Sequence, residues 1–167
     1  MKNNAKKVAL LGLMTSVALI LSYFEALLPP IWAAVPGIKI GLPNIVMIFL
    51  LYRFGLKECA AVSFMRIFIV AVLFGNFMTL AYSFAGAFLS VMLMALCKKT
   101  KLFSVIGTSV VGGVAHNLGQ IIVAIFLFNT VQIGYYMAVL AVTGTMAGVA
   151  IGLAGAFLLK RLEKAKI

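Results

Sequence analysis

Long apolar stretches alternate with short polar clusters along nearly the whole chain. A helix of about 20 apolar residues crosses the roughly 30 Å hydrocarbon core of a membrane, so each long stretch is a candidate span. The second stretch is short for a crossing, and Pro29 and Pro30 end the first because proline cannot continue a helix. The pattern predicts six spans, at residues 8–28, 42–54, 58–74, 77–97, 103–128 and 133–159.

The composition assigns these spans to an integral membrane protein. Of the 167 residues, 65% are hydrophobic and 10% are charged, and the mean hydropathy is +1.20. A soluble domain averages about 45–50% apolar residues, and so few charges cannot cover a surface in water. We expect an all-α protein in which residues 1–167 form one membrane domain, a bundle of six transmembrane helices, without a soluble catalytic domain.

Basic residues mark one side of the predicted bundle. Twelve of the 14 Lys and Arg residues lie before span one, between spans two and three, between spans four and five, or after span six. The positive-inside rule then predicts that both termini are cytoplasmic, in the plasma or inner membrane of a bacterium. The net charge of +11 could indicate nucleic acid, but this clustering between apolar runs is typical of topology signals, so no nucleic-acid partner is expected.

Polar side chains inside the apolar stretches are the candidate functional residues, because they are costly in lipid and mark sites or pathways. Arg66 lies near the predicted midplane, and His116 and Gln120 are one turn apart on one helix face. We predict a polar pocket that opens towards the extracellular side. The other candidate residues, in the outer half or in the connection above it, are Glu25, Trp32, Lys39, Asn44, Tyr82 and Asn117.

Structural alternatives exist for three of these residues. Arg66 forms an ion pair with Glu25, binds an anionic group, or does both, because an unpaired arginine at mid-membrane costs at least about 2.5–3.5 kcal/mol. His116 either packs between helices or hydrogen-bonds a solute, and Asn117 is rotated away from Gln120 and can bond a neighbouring helix. No metal and no cofactor is expected, since the chain has one histidine, no aspartate and three glutamates.

The connection at residues 28–44 is the longest one predicted on the outer side, and it contains all four prolines of the chain. A rigid, partly apolar segment above a pocket suits a lid, and a passive connection is the alternative. Lys39 in this segment would attract an anion to the mouth, and Trp32 would cap or stack on the solute together with Tyr82.

Small residues recur four positions apart in two spans. Gly144, Gly148 and Gly152 form such a stripe in span six, and Gly12 and Ser16 repeat the spacing in span one. Small-residue stripes let helices approach closely. We interpret the stripe of span six as packing within the chain, and Gly12 with Ser16 as the candidate docking surface for another membrane protein.

Several stretches resemble known families. Residues 37–69 resemble the second and third spans of the substrate-binding S components of energy-coupling factor (ECF) transporters. Three further stretches are similar to the family labelled both Gx transporter and heptaprenyl diphosphate synthase component I, and the resemblance covers nearly the whole chain. These stretches are SFMRIFIVAVLFG, YSFAGAFLSVMLMAL and GGVAHNLGQIIVA.

The two labels imply different functions. The S-component resemblance implies capture of a solute outside the cell, with a coupling membrane subunit and two ATPases in a separate module, and it implies that Gly12 and Ser16 contact the coupling subunit. The chain has no GxxxxGK[ST] phosphate loop and is not expected to hydrolyse ATP itself. The synthase label implies a non-catalytic membrane subunit of prenyl diphosphate synthesis or of a quinone or redox assembly, because no aspartate is present for Mg²⁺-diphosphate chemistry.

Residues and resemblance together predict a membrane subunit that is not an enzyme and that contacts lipid around its surface. It would bind a small anionic or aromatic solute, such as a vitamin-like molecule or a quinone precursor. Arg66 is assigned to an anionic group of that solute, and the neutral polar residues to directional hydrogen bonds.

Overall fold

The computed structural model of the chain describes residues 2–27 and 41–164. No strand occurs in these two ranges, so the described part is all-α, as the sequence predicts. Trp32 and Lys39 lie outside the described residues. The helices are α1 Lys2–Leu27, α2 Asn44–Arg53, α3 Leu56–Phe74, α4 Phe77–Thr100, α5 Val105–Phe128 and α6 Tyr136–Lys164, with a 3₁₀ turn at Val131–Tyr135 before α6.

Polar residues at the breaks begin and end the longer helices. The side chains of Asn76 and Ser104 accept hydrogen bonds from the backbone amide three residues later, and so cap the first turns of α4 and α5. Both helices end at a left-handed residue, Lys101 for α4 and Asn129 for α5. The connections from α2 to α6 are short, so consecutive helices in this part of the chain run antiparallel.

In the part of the chain that the structure describes, four helices are long and apolar enough to cross a membrane, at Ala5–Leu27, Phe77–Thr100, Val105–Phe128 and Val131–Leu162. They present large apolar side chains on the outside of the bundle, including Phe77 at 80% exposure and Phe126 at 85%. Such surfaces are unfavourable in water and match a lipid environment. The chain is therefore a multi-pass helical membrane protein.

Helices α2 and α3 differ from these four. The ten residues of α2 span only about 15 Å at 1.5 Å per residue, which is half of the hydrocarbon core. Helix α3 has 19 residues and carries Arg66 in its middle. A helix lies in every predicted span, whereas six complete crossings and cytoplasmic termini stay predictions.

The short helix α2 forms the centre of the core. All six residues from Val46 to Leu51 are buried, and they pack against Ala18 of α1, Val62 of α3 and Val91 of α4. A methyl group placed on Gly155 of α6 would collide with the Ile48 side chain. The middle of the half-length helix, from Val46 to Leu51, is thus enclosed by its neighbours.

Polar contacts hold the helix ends that the charge pattern assigns to the cytoplasm. The Lys98 ammonium on α4 donates hydrogen bonds to the carbonyl oxygens of Leu51, at 2.7 Å, and Tyr52, at 3.3 Å. Lys7 of α1 forms an ion pair with Glu58 at the start of α3. The basic clusters on these helices therefore lie at one end of the bundle.

The glycine stripe of α6 packs within the chain. A methyl group on Gly148 would lie 2.6 Å from the Val110 Cα atom of α5, and one on Gly152 would lie 2.7 Å from the Ile106 Cα atom. Only glycine permits so close an approach of the two backbones. Gly12 differs, because a methyl group there would meet nothing within 4 Å.

The contacts of Lys98 lead to a stability prediction. We expect Lys98→Met to lower the free energy of unfolding by about 1.5–3 kcal/mol, the range for hydrogen bonds to charged groups. The last carbonyl groups of α2 would lose their donor, while the apolar stem of the side chain is kept. Thermal unfolding in detergent measures the change. The neighbouring Lys99 is exposed, so Lys99→Met should change stability by less than about 0.5 kcal/mol; equal losses would contradict the capping role.

Candidate functional site

A cavity of about 170 Å³ lies among the helices, and its lining extends along α4 from Thr79, near the start of that helix, to Met94, one turn before Lys98. Its walls come from all six α-helices. An engineered protein cavity of about 150 Å³ accommodates benzene, so this one has room for a solute of single-ring size. Six of the residues predicted from the sequence line it, namely Glu25, Asn44, Arg66, His116, Asn117 and Gln120.

The guanidinium of Arg66 is poorly satisfied within the chain. One terminal nitrogen donates a hydrogen bond to the Ser22 hydroxyl at 3.3 Å, which is beyond the usual 2.7–3.2 Å range. The Nε atom is buried and has no hydrogen-bond partner among the described residues. A buried charged donor without a partner is costly, so this group has the capacity to hold a ligand.

Glu25 joins α1 to the turn before α2. Its carboxylate accepts a hydrogen bond from the backbone amide of Gly41. Gly41 has a φ of +78°, and a methyl group there would lie 3.0 Å from the Asn44 side chain and 3.1 Å from Ile151, so glycine is required on both counts.

The direct ion pair between Arg66 and Glu25, one of the alternatives from the sequence, is not formed. Within residues 2–27 and 41–164, the ion pair closer than 4.0 Å is the one between Lys7 and Glu58. Both Arg66 and Glu25 line the cavity, so two opposite charges face one space without contact.

Helix α5 supplies the opposite wall. A methyl group placed on Gly86 of α4 would lie 3.0 Å from the His116 ring and 3.1 Å from the Gln120 side chain. Both side chains therefore lie along the close contact between α4 and α5. Asn117 points the other way and donates a hydrogen bond to the Leu140 carbonyl oxygen of α6 at 2.7 Å. Asn117 therefore makes the interhelical bond that was one of its two alternatives from the sequence, and its side chain also borders the cavity.

Several lining hydroxyl groups were not found from the sequence. Serine and threonine in membrane helices commonly bond the carbonyl oxygen four residues back, and therefore give no distinctive signal. Ser22 does so with Ala18 at 2.8 Å, and its oxygen also accepts from Arg66. The hydroxyl residues that line the cavity are Ser22, Thr79, Ser83, Ser90 and Ser109.

Three other predicted residues lie away from the cavity. Tyr82 is half-buried on α4 and is not part of the lining. Gly12 and Ser16 are exposed on the first half of α1, where the Ser16 hydroxyl donates to the Gly12 carbonyl oxygen at 3.1 Å. In the described ranges, no three His, Cys, Asp or Glu side chains are grouped as metal ligands.

Comparison with known proteins gives one match. A family model described as heptaprenyl diphosphate synthase component I matches residues 14–158. This range includes every cavity-lining side chain named above. No curated protein matches the chain, and no solved structure does.

The two amides of the α5 wall should differ in their effect on stability. Asn117→Ala removes the bond to α6 and should lower the free energy of unfolding by about 0.6–1.7 kcal/mol, the range for interhelical bonds in membranes. Gln120→Ala is the matched control, because Gln120 has no hydrogen bond within the described chain, and should cost less than about 0.5 kcal/mol. Thermal unfolding in detergent compares them; a larger loss for Gln120→Ala would contradict this assignment.

Proposed function

The chain belongs to the heptaprenyl diphosphate synthase component I family. We infer that its function is to bind a solute, and one observation carries this inference. The guanidinium of Arg66 borders the cavity, and within the described residues it has no ion-pair partner and its buried Nε has no hydrogen-bond partner. The chain acts as a solute-binding membrane subunit for uptake of a small solute with an anionic group, such as a vitamin-like or quinone-precursor molecule.

The chemistry of the lining supports this function. An arginine presents its N–H groups in a planar fork that matches carboxylate and phosphate oxygens. Away from water, each such hydrogen bond is electrostatically stronger. Asn44, His116 and Gln120 lie around the same space and supply neutral donors and acceptors that orient the rest of the solute.

The size of the cavity argues against prenyl-chain synthesis inside it. A chain of seven isoprene units is far larger than a space of about 170 Å³. Prenyl transfer also uses Mg²⁺, which prefers carboxylate oxygen ligands, and Glu25 is the one carboxylate of the lining. The function proposed here is therefore binding rather than catalysis.

Energy for uptake comes from a separate module in this proposal. The sequence contains no phosphate-binding loop, so an ATPase pair with a coupling membrane subunit drives transport. The exposed small residues Gly12 and Ser16 on α1 form the docking surface for that subunit, since close helix contact needs small side chains. The chain lies in the bacterial plasma membrane with both termini in the cytoplasm, and Lys39, Trp32 and Tyr82 act near the mouth.

The family description favours a second candidate function. It names a component of a prenyl diphosphate synthase, so the alternative is a non-catalytic membrane subunit associated with prenyl diphosphate synthesis or with a quinone or redox assembly. In that case the cavity side chains serve packing alone.

Co-purification distinguishes the two candidates. We expect tagged full-length chain, extracted in mild detergent, to retain an ATPase pair and a coupling membrane protein, identified by mass spectrometry. Gly12→Leu should release them, because a bulky side chain blocks close helix contact, while Gly134→Leu, at the other end of the bundle, should not. A prenyl synthase or redox subunit in their place would support the alternative.

The affinity for the solute should depend on Arg66. We expect Arg66→Ala to weaken binding of carboxylate probes, benzoate and leucine, by about 10–100-fold, because it removes charged hydrogen bonds of about 1.5–3 kcal/mol. Arg66→Lys should retain part of the affinity, since it keeps the charge but not the fork. Isothermal titration in detergent measures both.

The control for this experiment is Arg161→Ala. Arg161 lies over the Phe157 ring, 5.2 Å from its centre, near the end of α6, and should leave binding unchanged. Unfolding of both Arg66 variants would instead assign Arg66 a structural role.

A further inference from the structure

We propose that the cavity selects a zwitterionic solute, one that carries a cationic amine beside its anionic group. This inference rests on the proposed function and names its substrate class. It starts from Arg66 and Glu25, two opposite charges that line one space and form no ion pair with any residue that the structure describes.

Each of the two charged groups has unused capacity. Arg66 has five N–H donors, and the described chain supplies one long hydrogen bond, to Ser22. Glu25 has two oxygens, and within the described residues one of them accepts a hydrogen bond, from the Gly41 amide. That amide holds the carboxylate at the turn before α2, and the second oxygen is left for another donor.

Charge balance then favours a zwitterion over a simple ion. Among the described residues that line the cavity, Arg66 and Glu25 carry the formal charges when histidine is counted as neutral, and these two charges sum to zero. An anion would satisfy Arg66 but bring the buried space to a net negative charge beside Glu25. A cation would do the reverse. A net charge away from water is costly unless it is paired.

A zwitterion satisfies both groups and keeps the sum at zero. Arg66 and Glu25 lie more than 4.0 Å apart, too far for contact with each other. An amino acid has an ammonium and a carboxylate on one carbon atom, and can therefore bridge two such side chains with one hydrogen-bonded pair at each end.

The remaining lining indicates where the rest of the molecule lies. Ile67, Val70 and Phe74 of α3, with Ile151 of α6, give the cavity an apolar side. A volume of about 170 Å³ suits a molecule with one compact apolar group, given that an engineered cavity of about 150 Å³ binds benzene. The class is therefore a small amino acid or amino-carboxylate with an apolar group.

The test uses three probes of matched shape, titrated calorimetrically into the full-length chain in detergent. Leucine carries both charged groups, 4-methylpentanoate lacks the amine, and 3-methylbutylamine lacks the carboxylate. We expect leucine to bind at least about tenfold more tightly than either single-charge probe.

We expect the Glu25→Gln substitution to reduce the preference of the chain for leucine over 4-methylpentanoate. Glutamine keeps an oxygen that accepts from Gly41, so the turn is retained, while the negative charge is lost. We expect leucine to bind about tenfold more weakly to this variant, and 4-methylpentanoate to bind more tightly than to the unaltered chain. Glu58→Gln is the matched control, because Glu58 pairs with Lys7 away from the cavity, and should leave all three affinities unchanged.

The possible outcomes distinguish failure of the zwitterion inference from failure of the proposed solute-binding function. If 4-methylpentanoate binds as tightly as leucine in an Arg66-dependent way, the zwitterion inference is overturned and solute binding stands. If Glu25→Gln leaves the preference for leucine intact, the role of Glu25 is overturned. Binding of none of the three probes at millimolar concentration overturns both the inference and the proposed function.

Discussion

The satisfaction of backbone groups at the ends of α2 is the constraint on which the rest of the structure depends. A helix leaves its last carbonyl groups without helical partners, and membrane interiors supply no water to replace them. In this chain the Lys98 ammonium reaches across from α4 to the carbonyl oxygens of Leu51 and Tyr52. The middle of α2, from Val46 to Leu51, is apolar and is enclosed by α1, α3, α4 and α6.

The cavity follows from the length of that helix. Because α2 extends over about half of a membrane, it fills one end of the bundle, and the cavity meets it only at the turn from Gly41 to Asn44. Glycines allow the helices that form the other walls of the cavity to pack closely against one another. Helix α5 packs against Gly86 on one side and Gly148 on the other, which directs His116 and Asn117 towards different neighbours.

The family description refers to an enzyme assembly, whereas the cavity is a feature of this chain alone. The description names a component of a prenyl diphosphate synthase, whereas the polar cavity is small and holds one basic and one acidic side chain. A binding subunit can belong to a larger assembly without sharing its chemistry.

The sequence by itself determined the all-α membrane class and the helix positions, because apolar length and proline or glycine breaks are local properties. It also identified Arg66, His116 and Gln120 as candidates, since polar residues are conspicuous in apolar segments. Only the tertiary structure decided that Arg66 contacts Ser22 rather than Glu25, that Tyr82 lies outside the cavity, and that α2 is enclosed. These outcomes depend on distances between helices, and no local pattern of residues contains those distances.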